Sequence, residues 1–119
     1  MNDRRTVLIV DDDPQILRLV ERMLRPKSVN VLSAPRPSEA LTICQNQHVD
    51  LIISDMAMPE MDGHKLVERV LKLQPDAAVL LISGYFKEPP AAAKAGQVKF
   101  LKKPFFPSQL LEHLRELLP

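Results

Sequence analysis

The chain has one cysteine, Cys44, in 119 residues, so no disulfide can close within it. Cys44 falls in an expected helix beside Leu41 and Ile43 and reads as a buried, inert thiol rather than a redox centre. No hydrophobic run is long enough to span a bilayer. The basic start, Met1 to Thr6, is followed by only four apolar residues before Asp11-Asp12-Asp13, too few for the core of a secretory signal. The expected location is therefore the cytoplasm, with no membrane partner. An excess of either charge is also missing. Sixteen Lys and Arg face fifteen Asp and Glu, for a net +1, so no broad basic field for nucleic acid is expected. Glycine is scarce, at three residues, and no strand end carries a Ser/Thr/Gly-rich phosphate loop. Repeats, low-complexity tracts and linkers are absent, and the length fits one domain over residues 1–119.

What is present is an alternation. Short apolar runs alternate with longer segments of helical period, the pattern of repeated βαβ units in an open α/β sheet. The spacing predicts strands over Thr6–Val10, Asn30–Ser33, Leu51–Ser54, Val79–Ile82 and Val98–Leu101, the second of them short and polar enough for an edge. The first helix starts with Asp13 as N-cap and Pro14 at its first position, carries Ile16, Leu17, Val20 and Leu24, and stops at Pro26. The second starts near Pro37-Ser38 with Ala40, Leu41 and Cys44. A loop over Met56–Gly63 leads to the third, with Leu66, Val67, Val70 and Leu71 inward and its end before Pro75. The last follows Phe106, with Leu110, Leu111, Leu114, Leu117 and Leu118 on its stripe. Between Gly84 and Gly96 the fourth helical segment is cut to about Ala91–Ala95, because Pro89 and Pro90 cannot lie inside a helix.

Chemistry gathers at the ends of the apolar runs. Asp11 and Asp12 follow Val7–Val10, Asp55 follows Leu51–Ser54, Ser83 follows Val79–Ile82, and Lys103 follows Phe100–Lys102. In parallel strands all of them reach the carboxyl edge, where open α/β sheets bind ligands. Two like charges about 4 Å apart repel by ~1 kcal/mol in water and ~4 kcal/mol at a protein-surface dielectric, so three carboxylates at one edge need compensation. Hard oxygen donors suit Mg²⁺. The Lys103 ammonium and the Ser83 hydroxyl suit phosphoryl oxygens, and a carboxylate beside such a clamp is an acyl-phosphate site.

In this order and spacing the segments Val7-to-Pro14, Asp50-to-Gly63, Leu81-to-Tyr85 and Phe100-to-Phe105 resemble a response-regulator receiver domain of two-component signalling, of the chemotaxis-response-regulator kind, over Val7–Leu118. The resemblance implies a doubly wound, five-stranded parallel sheet of flavodoxin-like order 2-1-3-4-5 with helices on both faces and a short or irregular fourth helix. It implies Asp55 as acceptor of a phosphoryl group from a kinase phosphohistidine. Asp11, Asp12 and Asp55 would hold Mg²⁺ or Mn²⁺, chiefly through Asp12 directly, with the backbone carbonyl of Ala57 as a further ligand. Ser83 and Lys103 would bind the phosphoryl oxygens, the Lys103-Pro104 bond would be cis, and Ser83 and Phe100 would form the switch. Its implied partners are a sensor histidine kinase or phosphotransfer protein and a downstream protein or output domain. Output would leave through the face of the fourth helix, fifth strand and fifth helix. The chain would be a monomer or a weak phosphorylation-dependent dimer, a signalling phosphoacceptor rather than an enzyme acting on other molecules.

The chain departs from the family pattern in a slightly shortened Ser83–Lys103 stretch, in Phe100 where tyrosine is commoner, and in Ala57 and Tyr85, which stand where the family tunes water access. Other readings carry less. Asp11 and Asp13 also fit the Asp-x-Asp start of haloacid-dehalogenase-like phosphatases, but that leaves Asp55 idle and there is no cap domain. A pseudo-receiver would not need every site residue. A flavodoxin-like cofactor binder would need a phosphate loop. His48, His64 and His113 lack metal-ligand spacing and read as surface residues, Met56, Met58 and Met61 read as packing, and one ring of Phe105-Phe106 is expected to be buried.

Overall fold

The computed structural model describes residues 4–84 and 93–118. The elements run β1 (Arg5–Val10), α1 (Pro14–Leu24), β2 (Val29–Ala34), α2 (Pro37–Asn46), β3 (Leu51–Asp55), α3 (Gly63–Leu73), β4 (Ala78–Ser83), β5 (Val98–Lys102) and α4 (Pro107–Leu117). All five strands are parallel, in the order β2-β1-β3-β4-β5. Each of the five strands extends one or two residues beyond its expected bounds, because the pairing of neighbouring strands continues past them. Of the expected fourth helical segment Ala91 and Ala92 fall outside the described residues, as do Tyr85, Pro89 and Pro90. Its described end, 93–97, is not helical: Lys94 O accepts from Gln97 N at 3.0 Å around Gly96 at φ 76°, a turn that needs glycine.

Register sets the working edge. Val10 pairs with Ala34 on one side and Ser54 on the other, so Asp11 and Asp55 each stand one step past matched positions. Asp55 pairs with Ile82, and Ser83 pairs with Lys102, which puts Lys103 one step beyond Ser83.

The period-2 alternation splits the interior into two cores. Leu8, Val10, Ile52, Val79 and Leu81 pack with Ala40 and Cys44 of α2 and Leu66, Val67 and Val70 of α3. Val7, Ile9, Ile53, Leu80, Ile82 and Leu101 pack on the other face with Val20 and Leu24 of α1 and Leu110 and Leu114 of α4. β1, β3 and β4 are covered on both faces, which explains their nearly continuous apolar runs. Cys44 is buried, and burial pushes its thiol up to about 11. The side chain of Gln74 ties the ends of α2 and α3: its amide donates to Cys44 O (2.9 Å) and Gln47 O (2.7 Å), and its oxygen accepts from Val49 N (3.3 Å).

Candidate functional site

Asp11, Asp12 and Asp55 each place a carboxylate oxygen within 4.8 Å of the other two. They are not equivalent. Asp11 is buried at 1% exposure, Asp55 at 6%, and Asp12 is exposed. Asp11 leaves β1 with its N–H still donating to Ala34 O at 3.2 Å, which carries it inward. Its Oδ1 accepts from Asp13 N at 2.8 Å, while its Oδ2 is buried with no hydrogen-bond partner. Burial pushes Asp11 up from the usual carboxylate range to about 6; the Asp13 hydrogen bond opposes the rise, Asp55 and Asp12 add to it, and Lys103 opposes it. Asp13 belongs to a different task. Its side chain accepts from Gln15 N at 2.9 Å and caps α1, with Pro14 at the first helical position.

Lys103 supplies the compensating charge. Its Nζ lies 3.3 Å from Asp55 Oδ1, and its N–H donates to Ser83 O at 2.7 Å, continuing the β4–β5 ladder past the end of β5. The Lys103-Pro104 peptide bond is cis. Ser83 is buried as the last residue of β4. Ala57 is exposed, and its N–H donates to Asp55 Oδ1 at 3.3 Å. Phe100 is half-buried on β5, packed against the α2–α3 core. The structure therefore brings Asp11, Asp12, Asp55, Ala57, Ser83 and Lys103 to one edge, with Phe100 inside the sheet and Asp13 on the rim.

The donor set suits a hard divalent cation. Three carboxylates converge, one carries an orphaned buried oxygen, and oxygen is the only ligand type offered. The histidines stay apart from it: His48 bonds Asp50 at 2.9 Å, His64 lies 3.4 Å from Glu68, and His113 Nδ1, 4.0 Å from Glu116, is buried without a hydrogen-bond partner. His48 is exposed, whereas His64 and His113 are half-buried.

Three features escape sequence reading. Gly63 is the first residue of α3 rather than the end of a loop, because Asp62 caps that helix through Lys65 N at 2.8 Å. A Cβ on Gly63 would lie 2.5 Å from Asp55 O and 2.9 Å from Met56 Cα, so the helix abuts the backbone of the site strand. Glu60 reaches across to Ser38 at the start of α2. Only the Asp62-Gly63 pair left a trace in the sequence, where it reads as the end of the loop. At the rim, Ile16, Leu19, Pro104 and Phe105 line a cleft that includes Lys103. Phe105 packs on the α1–α4 core, while Phe106 is 74% exposed.

The family model of the response regulator receiver domain matches residues 7–115. The chain belongs to this family. The receiver domain is 37% identical over 100 residues to the transcriptional regulatory protein GlrR of Escherichia coli (strain K12), covering 82% of this chain and 22% of that protein. It thus spans about a fifth of that relative's length. It superposes on the receiver domain of the hybrid histidine kinase CckA with a TM-score of 0.81 at 33% identity, covering 96% of this chain and 99% of the other. It is similar also to the response regulator TrrA of Thermotoga maritima, solved in complex with Mg²⁺ and BeF, with a TM-score of 0.81 at 27% identity over 96% of this chain and 99% of that one. The receiver fold and the place of Asp13 as a helix cap remove the dehalogenase-like phosphatase reading.

Proposed function

We propose that Asp55 of this receiver domain accepts a phosphoryl group from a phosphohistidine of a sensor kinase or phosphotransfer protein. A carboxylate oxygen of Asp55 attacks phosphorus, the P–N bond to the donor imidazole breaks, and the imidazole leaves with its electron pair and takes up a proton. The product is an acyl phosphate, which water later hydrolyses. The observation that carries this reading is the ammonium of Lys103 held 3.3 Å from Asp55 inside a cluster of three carboxylates. Lys103 pairs with a phosphoryl oxygen, and Ser83, at the neighbouring strand end, donates its hydroxyl to another. Asp11, Asp12 and Asp55, with the backbone carbonyl of Ala57, would hold Mg²⁺ or Mn²⁺, which when bound supplies positive charge against the phosphoryl oxygens.

Ser83 and Phe100 carry the state of the site to the outer face of β5 and α4, where a downstream protein or output domain reads it. The apolar cleft of Ile16, Leu19, Pro104 and Phe105 beside Lys103 supports a protein donor docking next to the chemistry. No helix among the described residues is long and apolar enough to cross a membrane. We read the domain as acting in the cytoplasm, as a monomer or a weak phosphorylation-dependent dimer, and as a phosphoacceptor that catalyses only its own phosphorylation and dephosphorylation.

Intact-protein mass spectrometry after incubation with acetyl phosphate and Mg²⁺ tests the reading. One phosphoryl mass is expected in the wild type and none in Asp55→Asn or without the metal. A wild type that gains no mass is a pure interaction module that kept the fold without the chemistry.

A further inference from the structure

The loop between β3 and α3, residues 56–62, carries Ala57 and begins directly after the acceptor carboxylate. Its two ends are tied to each other and to the sheet: Met56 N donates to Ile82 O at 2.9 Å, and Gly63 N donates to Met56 O at 2.7 Å. The chain between them forms an arch. Met58 and Met61 pack partly against the α2–α3 core, which directs the arch but bonds none of its polar groups. Ala57 N donates to Asp55 Oδ1 and Asp62 caps α3, so these bonds stay with the two elements the arch joins. Between them, among the described residues, Glu60 is the side chain that reaches a different element. Ser38 N donates to Glu60 Oε1 at 2.9 Å, and the Ser38 hydroxyl donates to Oε2 at 3.1 Å.

The tether answers a need at its far end. The N-cap position of α2 is Arg36, which makes no side-chain cap, and the next residue, Pro37, has no N–H. Ser38 N is therefore a donor without an intrahelical partner, at the positive end of the helix dipole. A carboxylate is the group such a terminus favours, and here it comes from 22 residues away. The bonds are charge-assisted and engage both carboxylate oxygens, so they fix the orientation of the arch as well as its distance.

We propose that Glu60 is a positioning residue of the phosphoryl site: its clasp on the first turn of α2 holds the arch that presents Ala57 beside Asp55. The proposal rests on the function given above. It makes α2 a structural support of the site, although no side chain of α2 reaches the chemistry. Losing the clasp leaves the ends of the arch in place and lets its middle move, which loosens the one ligand supplied by backbone.

The test uses the full chain with Glu60→Ala, Glu60→Gln and Glu39→Gln. Glu39 lies on the same turn of α2 and pairs with Arg36, so its variant controls for charge at that terminus. Mg²⁺ affinity is read by calorimetric titration with the metal alone, and the maximal rate of phosphorylation by acetyl phosphate by mass spectrometry. Glu60→Ala is expected to weaken Mg²⁺ binding and slow the maximal rate, each by about three- to tenfold, the size that two exposed charge-assisted hydrogen bonds set. Glu60→Gln, which can still accept from Ser38 N, is expected to recover most of both losses, and Glu39→Gln to match the wild type. A Glu60→Ala protein that melts at lower temperature yet keeps wild-type Mg²⁺ affinity and rate overturns the proposal and leaves Glu60 a mere cap. If the wild type is not phosphorylated at all, the functional reading fails instead. The Mg²⁺ titration then still decides the clasp, since an unchanged affinity in Glu60→Ala overturns it.

Discussion

Lys103 and Asp55 meet across an intervening strand, Nζ to Oδ1 at 3.3 Å, with β4 lying between their two strands. The acid is buried and the base 40% exposed, so the pair spans the boundary between core and solvent. Removing the ammonium takes from Asp55, beside Asp11 and Asp12, the cation it is paired with. Lys103→Met is expected to slow phosphorylation by acetyl phosphate on the order of 10²-fold, the scale for losing one charge stabiliser in a reacting site. A variant that reaches wild-type rates in a mass-spectrometric time course would remove Lys103 from the chemistry.

The burial of Asp11 has a cost that the metal-free protein bears alone. Its Oδ2 has no partner, and two carboxylates crowd it. Asp11→Asn, which keeps the oxygen that accepts from Asp13 N, is expected to stabilise the metal-free domain by on the order of 1–3 kcal/mol. The same variant should lose most of the rise in melting temperature that Mg²⁺ gives the wild type. Urea denaturation without metal reads the first quantity, and thermal denaturation with and without Mg²⁺ the second. A variant less stable than the wild type without metal contradicts this account of the site.

Gly63 touches the backbone of the acceptor itself. An added methyl would sit 2.5 Å from Asp55 O, and a strand carbonyl in a parallel ladder has little room to retreat. Gly63→Ala is expected to cost about 1–3 kcal/mol from the forced backbone shift and to slow phosphorylation by displacing Asp55. Denaturation midpoints and acetyl phosphate kinetics check the two effects together. Full stability with full activity would mean that α3 can slide away freely.

The strands and the working edge were legible in the sequence because each buried strand is a near-unbroken apolar run with its polar group at a fixed end. The α1 cap was legible because Asp13-Pro14 is a local signal. The difference between Asp11 and Asp12 was less so. The two look alike in sequence, and the structure buries Asp11, whose N–H bonds Ala34 O, while Asp12 stays exposed. The Asp-Gly pair at 62–63 reads equally well as a turn or as the start of a helix, and the packing of α3 on Asp55 selects the second. Glu60 and Ser38 share no periodicity, and nothing local marks a helix capped from another loop. Of Phe105 and Phe106, at least one ring was expected to be buried; Phe105 is half-buried against the α1–α4 core and Phe106 is exposed.

The division of the interior into two cores by a single sheet means the molecule is insulated across its middle. Among the described residues the buried apolar side chains of the α1–α4 side and the α2–α3 side fall into two separate clusters, with the strand backbone between them. Paired substitutions such as Leu110→Ala with Leu66→Ala have no shared neighbours through which to couple, and their losses should simply add. Each side can then be remodelled for a different acquaintance without the other registering the change. The strand ends, where backbone and chemistry coincide, are the place where both sides are felt at once.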